Sequence, residues 1–507
     1  MPDTIDELLD GGAPAAPVIL APSRPPLDYA GLRAHVDRTV GALNARGIGR
    51  GDRVAIVLPN GPEMATAFVA VAAGASTAPL NAAYRRAEFE FYLSDLGAKA
   101  LLVERGATSE AIDVARSLGM EILEIETRAD APAGAFTIAD SDDGSGPGHA
   151  AGMAAPDDEA LVLHTSGTTS RPKIVPLAQR NVCASAAHVA ASLDLTAADR
   201  CLNVMPLFHI HGLIAAILAS LGAGASVFCT PGFNALRFFT WLEESDATWY
   251  TAVPTMHQAI LSRAERNRAV IDACRIRLVR SSSSSLPPQV MAELETVFGA
   301  PVIEAYGMTE AAHQMACNPL PPRVRKPGTV GVAAGPELAV MDEAGNLLAP
   351  GMVGEVVIRG PNVTSGYEGN PEANGKCFTN GWFRTGDQGA IDADGYLTIT
   401  GRLKEIINRG GEKISPREVD EVFMDHPSVQ QVVTFAVPHD KLGEEVAAAV
   451  VLREAGAATE RELRDFAAER LAAFKVPRTI VLLDEIPKGA TGKLQRIGLA
   501  QKLGLAK

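Results

Sequence analysis

Cysteine is sparse in this chain: six in 507 residues, at 183, 201, 229, 274, 317 and 377, with no Cys-x-x-Cys pair among them. That spacing argues against a disulfide framework or a structural zinc site and fits a reducing cytosol. Positive charge is also short, with 46 Lys and Arg against 60 Asp and Glu for a net charge of -14. A general nucleic-acid or membrane-surface binder needs the opposite balance, so an anionic substrate must meet cations gathered locally. No uninterrupted apolar run reaches about 18 residues, the length that begins to suggest a membrane-crossing helix. The opening MPDTIDELLDGG is acidic where a secretory leader starts basic and turns apolar, and the closing GLAK does not match a Ser-Lys-Leu peroxisomal address. A soluble, cytoplasmic monomer or homodimer is expected, without a nucleic-acid partner and without stable membrane association.

What is present reads as an ordinary globular chain, 47% hydrophobic and 21% charged, and long enough for two or more domains. YAGLRAHVDRTVGALNARG has the apolar spacing of an amphipathic helix and RVAIVLP that of a buried strand. PEMATAFVAVAAGASTAPL then predicts a small-residue helix and a strand, and KALLVE a strand before the helix SEAIDVARSLG. Repeated strand–helix units imply parallel sheets covered by helices. Residues 139 to 160, rich in Gly, Pro, Ser and Asp, read as a surface connection. A second alternating stretch runs from LVLHTSG through VFCT, ATWYTAV, IRLVRSS and PVIEAYG, its strands ending in polar turns of the kind where open parallel sheets collect ligands. Beyond residue 336, Gly-punctuated alternation suggests a small antiparallel or barrel-like piece. Helix and strand patterns return after GRLKEIINRGGEKISP, placing a boundary between residues 1–402 and a smaller α+β domain at 403–507.

In LVLHTSGTTSRPKIVPL a strand runs into Thr165, Ser166, Gly167, Thr168, Thr169 and Ser170, all hydroxylated or glycine, with Lys173 just beyond. Small residues let the backbone approach a polyphosphate, while hydroxyls, N–H groups and an ammonium donate to it. The plainer reading, a flexible polar turn, stays open on this string alone. The P-loop pattern GxxxxGK[ST] is absent, which disfavours that class of nucleotide fold.

With a strand before it and Pro-Lys after it, the string resembles the first signature of the adenylate-forming superfamily of acyl-CoA synthetases, luciferases and peptide-synthetase adenylation domains. MPLFHIHG, TWYTAVPT, EAYGMTE, WFRTGD, GRLKEIINRGGEKISP and PKGATGKLQR follow in that family's order, so the resemblance spans nearly the whole chain. Ile174 departs from it, standing where the family usually carries Gly. The resemblance implies a large N-terminal domain of doubly wound α/β sheets with a barrel-like subdomain, a small mobile C-terminal domain, and the use of ATP, Mg²⁺ and coenzyme A.

It also implies roles. Tyr306 would face adenine, with Glu304, Ala305, Gly307 and Ser283 around the nucleotide; Thr309 would meet the α-phosphate, and Glu310 with Thr168 would hold Mg²⁺. Asp387 would take the ribose hydroxyls, backed by Arg402 and Ile399. Lys493 would bridge the attacking carboxylate and the α-phosphate, and Lys404 would be the hinge that swings the small domain. Gly410 and Gly411 would then reach the coenzyme A tunnel, although a hairpin turn needs the same residues. For Tyr306 a core aromatic, for Asp387 a turn former, and for Lys493 and Arg402 solvated charges are the plainer alternatives.

A short dicarboxylate needs donors and positive charge at its far end, whereas a fatty or aromatic acid needs a roomy apolar pocket. His209 and His211, Arg280, the run Ser281, Ser282, Ser283 and onward, and His313 supply such donors near the motifs. His209 is also taken to the chemistry itself. LVRSSSSSLPP and TEAAH resemble the oxalyl-CoA synthetase branch, which favours oxalate. Malonate, another short or medium-chain acid, and loading of a carrier protein remain alternatives. A carrier segment is not expected after Lys493, and a catalytically dead relative would be expected to have lost Lys493, Glu310 or Asp387.

Overall fold

The computed structural model describes residues 2–128, 130–139, 150–165, 172–488 and 494–506. Two largely parallel sheets form the bulk of it. The seven-stranded sheet runs in spatial order Phe136–Ile138, Glu121–Thr127, Ala100–Glu104, Arg53–Val57, Ser76–Pro79, Glu159–His164 and Ile174–Ala178. The nine-stranded sheet runs Val332–Ala333, His313–Cys317, Val302–Met308, Leu278–Ser281, Trp249–Ala252, Arg200–Asn203, Ser226–Cys229, Pro17–Leu20 and Leu27–Asp28.

The expected helices form where their periodicity places them. Tyr29–Ala45 is capped by the Asp28 carboxylate, which accepts from Gly31 N–H at 2.7 Å, and buries Leu32, Val36, Val40 and Leu43 on one face. Pro62–Ala72 is different: from Met64 to Ala72 every residue is buried. It packs against strands of both large sheets, and a helix walled on all sides has no polar face to show. Its small residues are what the close spacing demands.

A five-stranded antiparallel sheet carries Glu337–Met341, Gly354–Arg359, Trp382–Ile391, Phe378–Thr379 and Leu397–Arg402. The fourth sheet lies within residues 407–482: Ile407–Arg409, Glu412–Ile414, Val429–His439, Gly443–Leu452 and Thr479–Leu482, flanked by helices Pro416–Met424 and Glu460–Ala468. The turn between these last two sheets is pinned by Glu405 and Ile406 N–H groups, both donating to Arg402 O at 2.8 and 3.1 Å. Ile174 opens its strand opposite His164, and its side chain is buried in the core above that sheet. No helix among the described residues is long and apolar enough to cross a membrane.

Candidate active site

The carboxyl ends of Trp249–Ala252, Leu278–Ser281 and Val302–Met308, neighbours in the nine-stranded sheet, deliver a buried polar cluster. Thr251 and Arg280 lie opposite each other on adjacent parallel strands, and both are 0% exposed. Arg280 Nη1 reaches His211 Nε2 at 3.4 Å and Thr251 Oγ1 at 3.5 Å, and Nη2 donates to Gln314 Oε1 at 3.2 Å. His211 holds Thr251 Oγ1 at 2.6 Å through Nε2 and Ser283 Oγ at 3.0 Å through Nδ1. The tautomer with its proton on Nδ1 satisfies all three contacts. His211 also opens a π-helical segment, His211–Leu218, a widened winding frequent at functional sites.

Arg280 is the odd member. Its Nε and the Ser281 hydroxyl have no hydrogen-bond partner among the described residues. The titratable groups that bear on Arg280 are the thiols of Cys317 and Cys201, which burial keeps protonated, and not a carboxylate; burial pulls the Arg280 pKa down to about 10. A guanidinium taken out of water without a counter-charge is costly.

His313 closes the cluster, its ring edge-on to His211 at 5.1 Å. Its backbone is at φ 113°, next to Ala312 at φ 46°, both in the left-handed region that disfavours side chains. The carbonyl of His313 passes so near residue 307 that a Cβ there would lie 1.8 Å away, so this strand pair closes only over Gly307. Ser282 is buried and donates to Ala305 O at 2.9 Å. His209, half-buried, stands at the edge, its Nδ1 accepting from His211 N–H at 3.3 Å.

A second group lies where the antiparallel sheet meets Val302–Met308. Asp387 accepts from Tyr306 Oη at 2.5 Å and from Arg402 Nε at 2.8 Å. The Asp387 carboxylate holds the Arg402 guanidinium above its ordinary range, and burial raises the Tyr306 phenol. Glu304, 1% exposed, accepts from Leu286 N–H at 2.9 Å while its Oε2 has no hydrogen-bond partner among the described residues, and burial pushes its pKa up to about 7. Ile399 O accepts from Arg417 Nη1 at 2.7 Å, which ties the helix Pro416–Met424 to this edge.

The third group is the neck of the Ser/Thr/Gly loop. Thr165 N–H donates to Lys173 O at 2.9 Å, and Lys173 N–H to Thr165 Oγ1 at 3.1 Å. Ser166, Gly167, Thr168 and Thr169 lie outside the described residues, as does Lys493. Thr309 and Glu310 occupy the short turn after Val302–Met308, with Glu310 7% exposed. Lys404 sits in the turn pinned to Arg402 O. Gly410 and Gly411, at φ 59° and 95°, make the tight turn between Ile407–Arg409 and Glu412–Ile414, so the hairpin requirement alone explains both.

The chain matches the AMP-binding enzyme family over residues 13–368 and the AMP-binding enzyme C-terminal domain over 418–493. The chain belongs to the AMP-binding enzyme family. Among this enzyme's relatives are the oxalate–CoA ligase of Arabidopsis thaliana, 47% identical with 98% of each chain covered, and that of Saccharomyces cerevisiae, 43% identical over 89% of this chain and 87% of the other. ATP-bound MatB from Rhodopseudomonas palustris superposes at a TM-score of 0.88 with 29% identity, covering 100% of this chain and 98% of that one. The apo form of MatB superposes at 0.79.

Sequence reasoning missed Thr251 and Gln314 as members of the buried cluster and did not carry His211 into the chemistry. Two histidines two residues apart give no sign of which turns inward. Thr251 and Gln314 are marked only by lying beside Arg280 and His313 once the strands are in register.

Proposed function

We propose that this AMP-binding enzyme is an ATP-dependent oxalate–CoA ligase. In the first step a carboxylate oxygen of oxalate attacks the α-phosphorus of ATP, forming oxalyl-adenylate as the bond to pyrophosphate breaks. In the second the coenzyme A thiol gives its proton to solvent, its sulfur attacks the oxalyl carbonyl, and AMP leaves. The observation that carries the choice of acid is Arg280. A buried guanidinium with a spare donor and no carboxylate among the described residues is completed by an anion brought from outside. Ser281, with its unused hydroxyl, and His211, Ser283 and His313 surround it with further donors, where a fatty or aryl acid would want apolar lining. The two oxalate–CoA ligase relatives support the same acid.

Tyr306, with Glu304, Ala305 and Gly307, would form the adenine side, and Asp387 with Arg402 and Ile399 the ribose side. A carboxylate already oriented by two donors, with acceptor lone pairs left over, suits a vicinal diol. Thr309, Lys173 and the 165–169 segment would take the phosphates. Glu310, with Thr168, would hold Mg²⁺. No group of three His, Cys, Asp or Glu gathers among the described residues, which agrees with an ion bound through one carboxylate and the phosphates of its nucleotide. Mg²⁺ supplies neutralisation of phosphate charge. Lys493 would serve adenylation and Gly410 and Gly411 thioester formation, with residues 403–507 turning about Lys404 between them. The closer match to ATP-bound than to apo MatB supports reading the present arrangement as the first of these states. A cytosolic location fits six unpaired cysteines.

The deciding experiment offers oxalate, malonate, sulfoacetate, acetate and octanoate with ATP, Mg²⁺ and coenzyme A and follows AMP and thioester together. Oxalate is expected to lead in kcat/KM. A higher kcat/KM for malonate or octanoate would remove the oxalate reading, and pyrophosphate exchange without any CoA thioester would favour carrier loading.

A further inference from the structure

Lys173 and Glu310 have opposite charges and share a neighbour, yet they form no ion pair with each other. The neighbour is Tyr367. Lys173 Nζ lies 4.2 Å from the centroid of its ring, and its hydroxyl donates to Glu310 Oε1 at 2.7 Å. Tyr367 is 7% exposed, and the Cys377 thiol also lies against its hydroxyl.

This placement is enforced from several directions. Tyr367 N–H donates to Asn374 Oδ1 at 2.7 Å, and Asn374 Nδ2 returns a bond to Tyr367 O at 2.8 Å. The next residue, Glu368, donates its N–H to Ile174 O at 3.1 Å, directly after Lys173 in the chain. Thr364 N–H donates to Glu310 O at 2.8 Å and Thr364 Oγ1 to Pro176 O at 2.8 Å. One short segment, 364–368, is thus bonded to the strand that follows the lysine and to the turn that carries the carboxylate.

In a partly desolvated site an ammonium and a carboxylate that share a neighbour attract each other, and an ion pair between them would fill the place of each one's ligand. An aromatic face holds a cation without neutralising it, and a phenol hydroxyl orients a carboxylate while leaving its charge in place.

We infer that Tyr367 is a positioning residue that holds Lys173 and Glu310 apart and aimed, the lysine toward phosphate oxygens and the carboxylate toward the Mg²⁺ that accompanies ATP. The inference rests on the roles proposed above for those two residues.

Calorimetric titration of the full chain with ATP·Mg²⁺, with ATP in EDTA and with AMP tests it. Tyr367→Phe keeps the ring and loses the hydroxyl; it should weaken ATP·Mg²⁺ binding about tenfold and leave the other two nucleotides within about twofold. Tyr367→Leu should also weaken ATP in EDTA, because Lys173 loses its seat, while AMP binding again shows that the nucleoside site is intact. If Tyr367→Phe binds ATP·Mg²⁺ as the parent does, or if all three nucleotides weaken together as a general packing defect would make them, the inference is overturned. Glu310→Gln and Lys173→Met run alongside. Normal ATP·Mg²⁺ binding by both would discard the underlying roles as well, whereas weakening in both with a silent Tyr367→Phe discards the inference alone.

Discussion

Asp387 and Arg402 stand directly opposite each other on adjacent antiparallel strands, with Arg402 Nε 2.8 Å from the carboxylate that Tyr306 also holds. The pairing is set by strand register, and it lies one turn from the point where the chain leaves the antiparallel sheet for the last one. Asp387→Asn keeps the shape but surrenders the charge and reverses half of the hydrogen bonding. The KM for ATP should rise about tenfold or more, with the KM for the acid little changed. Initial rates against each substrate in turn check this.

Arg280→Met separates substrate binding from stability. Removing an uncompensated buried charge for an apolar side chain of similar length should leave the melting temperature equal or higher, while the KM for oxalate rises about a hundredfold. Oxalate should raise the melting temperature of the parent and not of the variant. Scanning calorimetry with and without oxalate gives both answers, and a variant still stabilised by oxalate would clear Arg280 of the role.

His313→Ala should weaken oxalate use far more than ATP binding, because the ring faces His211 and not the Asp387 group. A ratio of oxalate to ATP effects near one would contradict it. The change also relieves no backbone strain, since alanine at φ 113° is as disfavoured as histidine.

Glu304 predicts a pH dependence. Its folded pKa, about 7, stands above the ordinary 4.5, so folding favours the protonated form. The stability this contributes is complete below pH 4.5 and is lost as the pH rises through about 7. Arg417 opposes the shift, and Glu421 reinforces it. Glu304→Gln, a permanent mimic of the neutral acid that can still accept from Leu286 N–H, should flatten the fall in melting temperature between about pH 5 and pH 8.

Gly307→Ala and Gly411→Ala should differ sharply although both remove a glycine. At 307 the new Cβ would meet the His313 carbonyl at 1.8 Å, so the strands must part and the protein should lose several degrees of melting temperature or fail to accumulate. At 411 nothing lies within 4 Å and only the positive φ is strained, which costs about 1–2 kcal/mol. Thermal unfolding of the two variants side by side measures the contrast.

Much of this was legible in advance because it is local. The apolar spacing of Tyr29–Ala45, the runs that become Arg53–Val57 and Trp249–Ala252, and the change of texture beyond residue 336 are short-range patterns that burial enforces wherever they occur. The ordered motifs likewise named Tyr306, Glu310, Asp387 and Arg402, since a site built at strand ends leaves its residues in short strings. Tyr367 escaped because its proposed role lies in what flanks it, Lys173 almost two hundred residues earlier and Glu310 in the turn after Val302–Met308.

The sequence by itself determined the layered α/β architecture, the family and the residue types proposed for the nucleotide site, because periodicity and motif order are properties of neighbouring residues. Only the tertiary structure decided that His211 and not His209 enters the buried cluster, that no carboxylate among the described residues bears on Arg280, and that Tyr367 touches both Lys173 and Glu310. Those are relations across sheets, fixed by strand register and by what is shut away from water, and no run of adjacent residues records them.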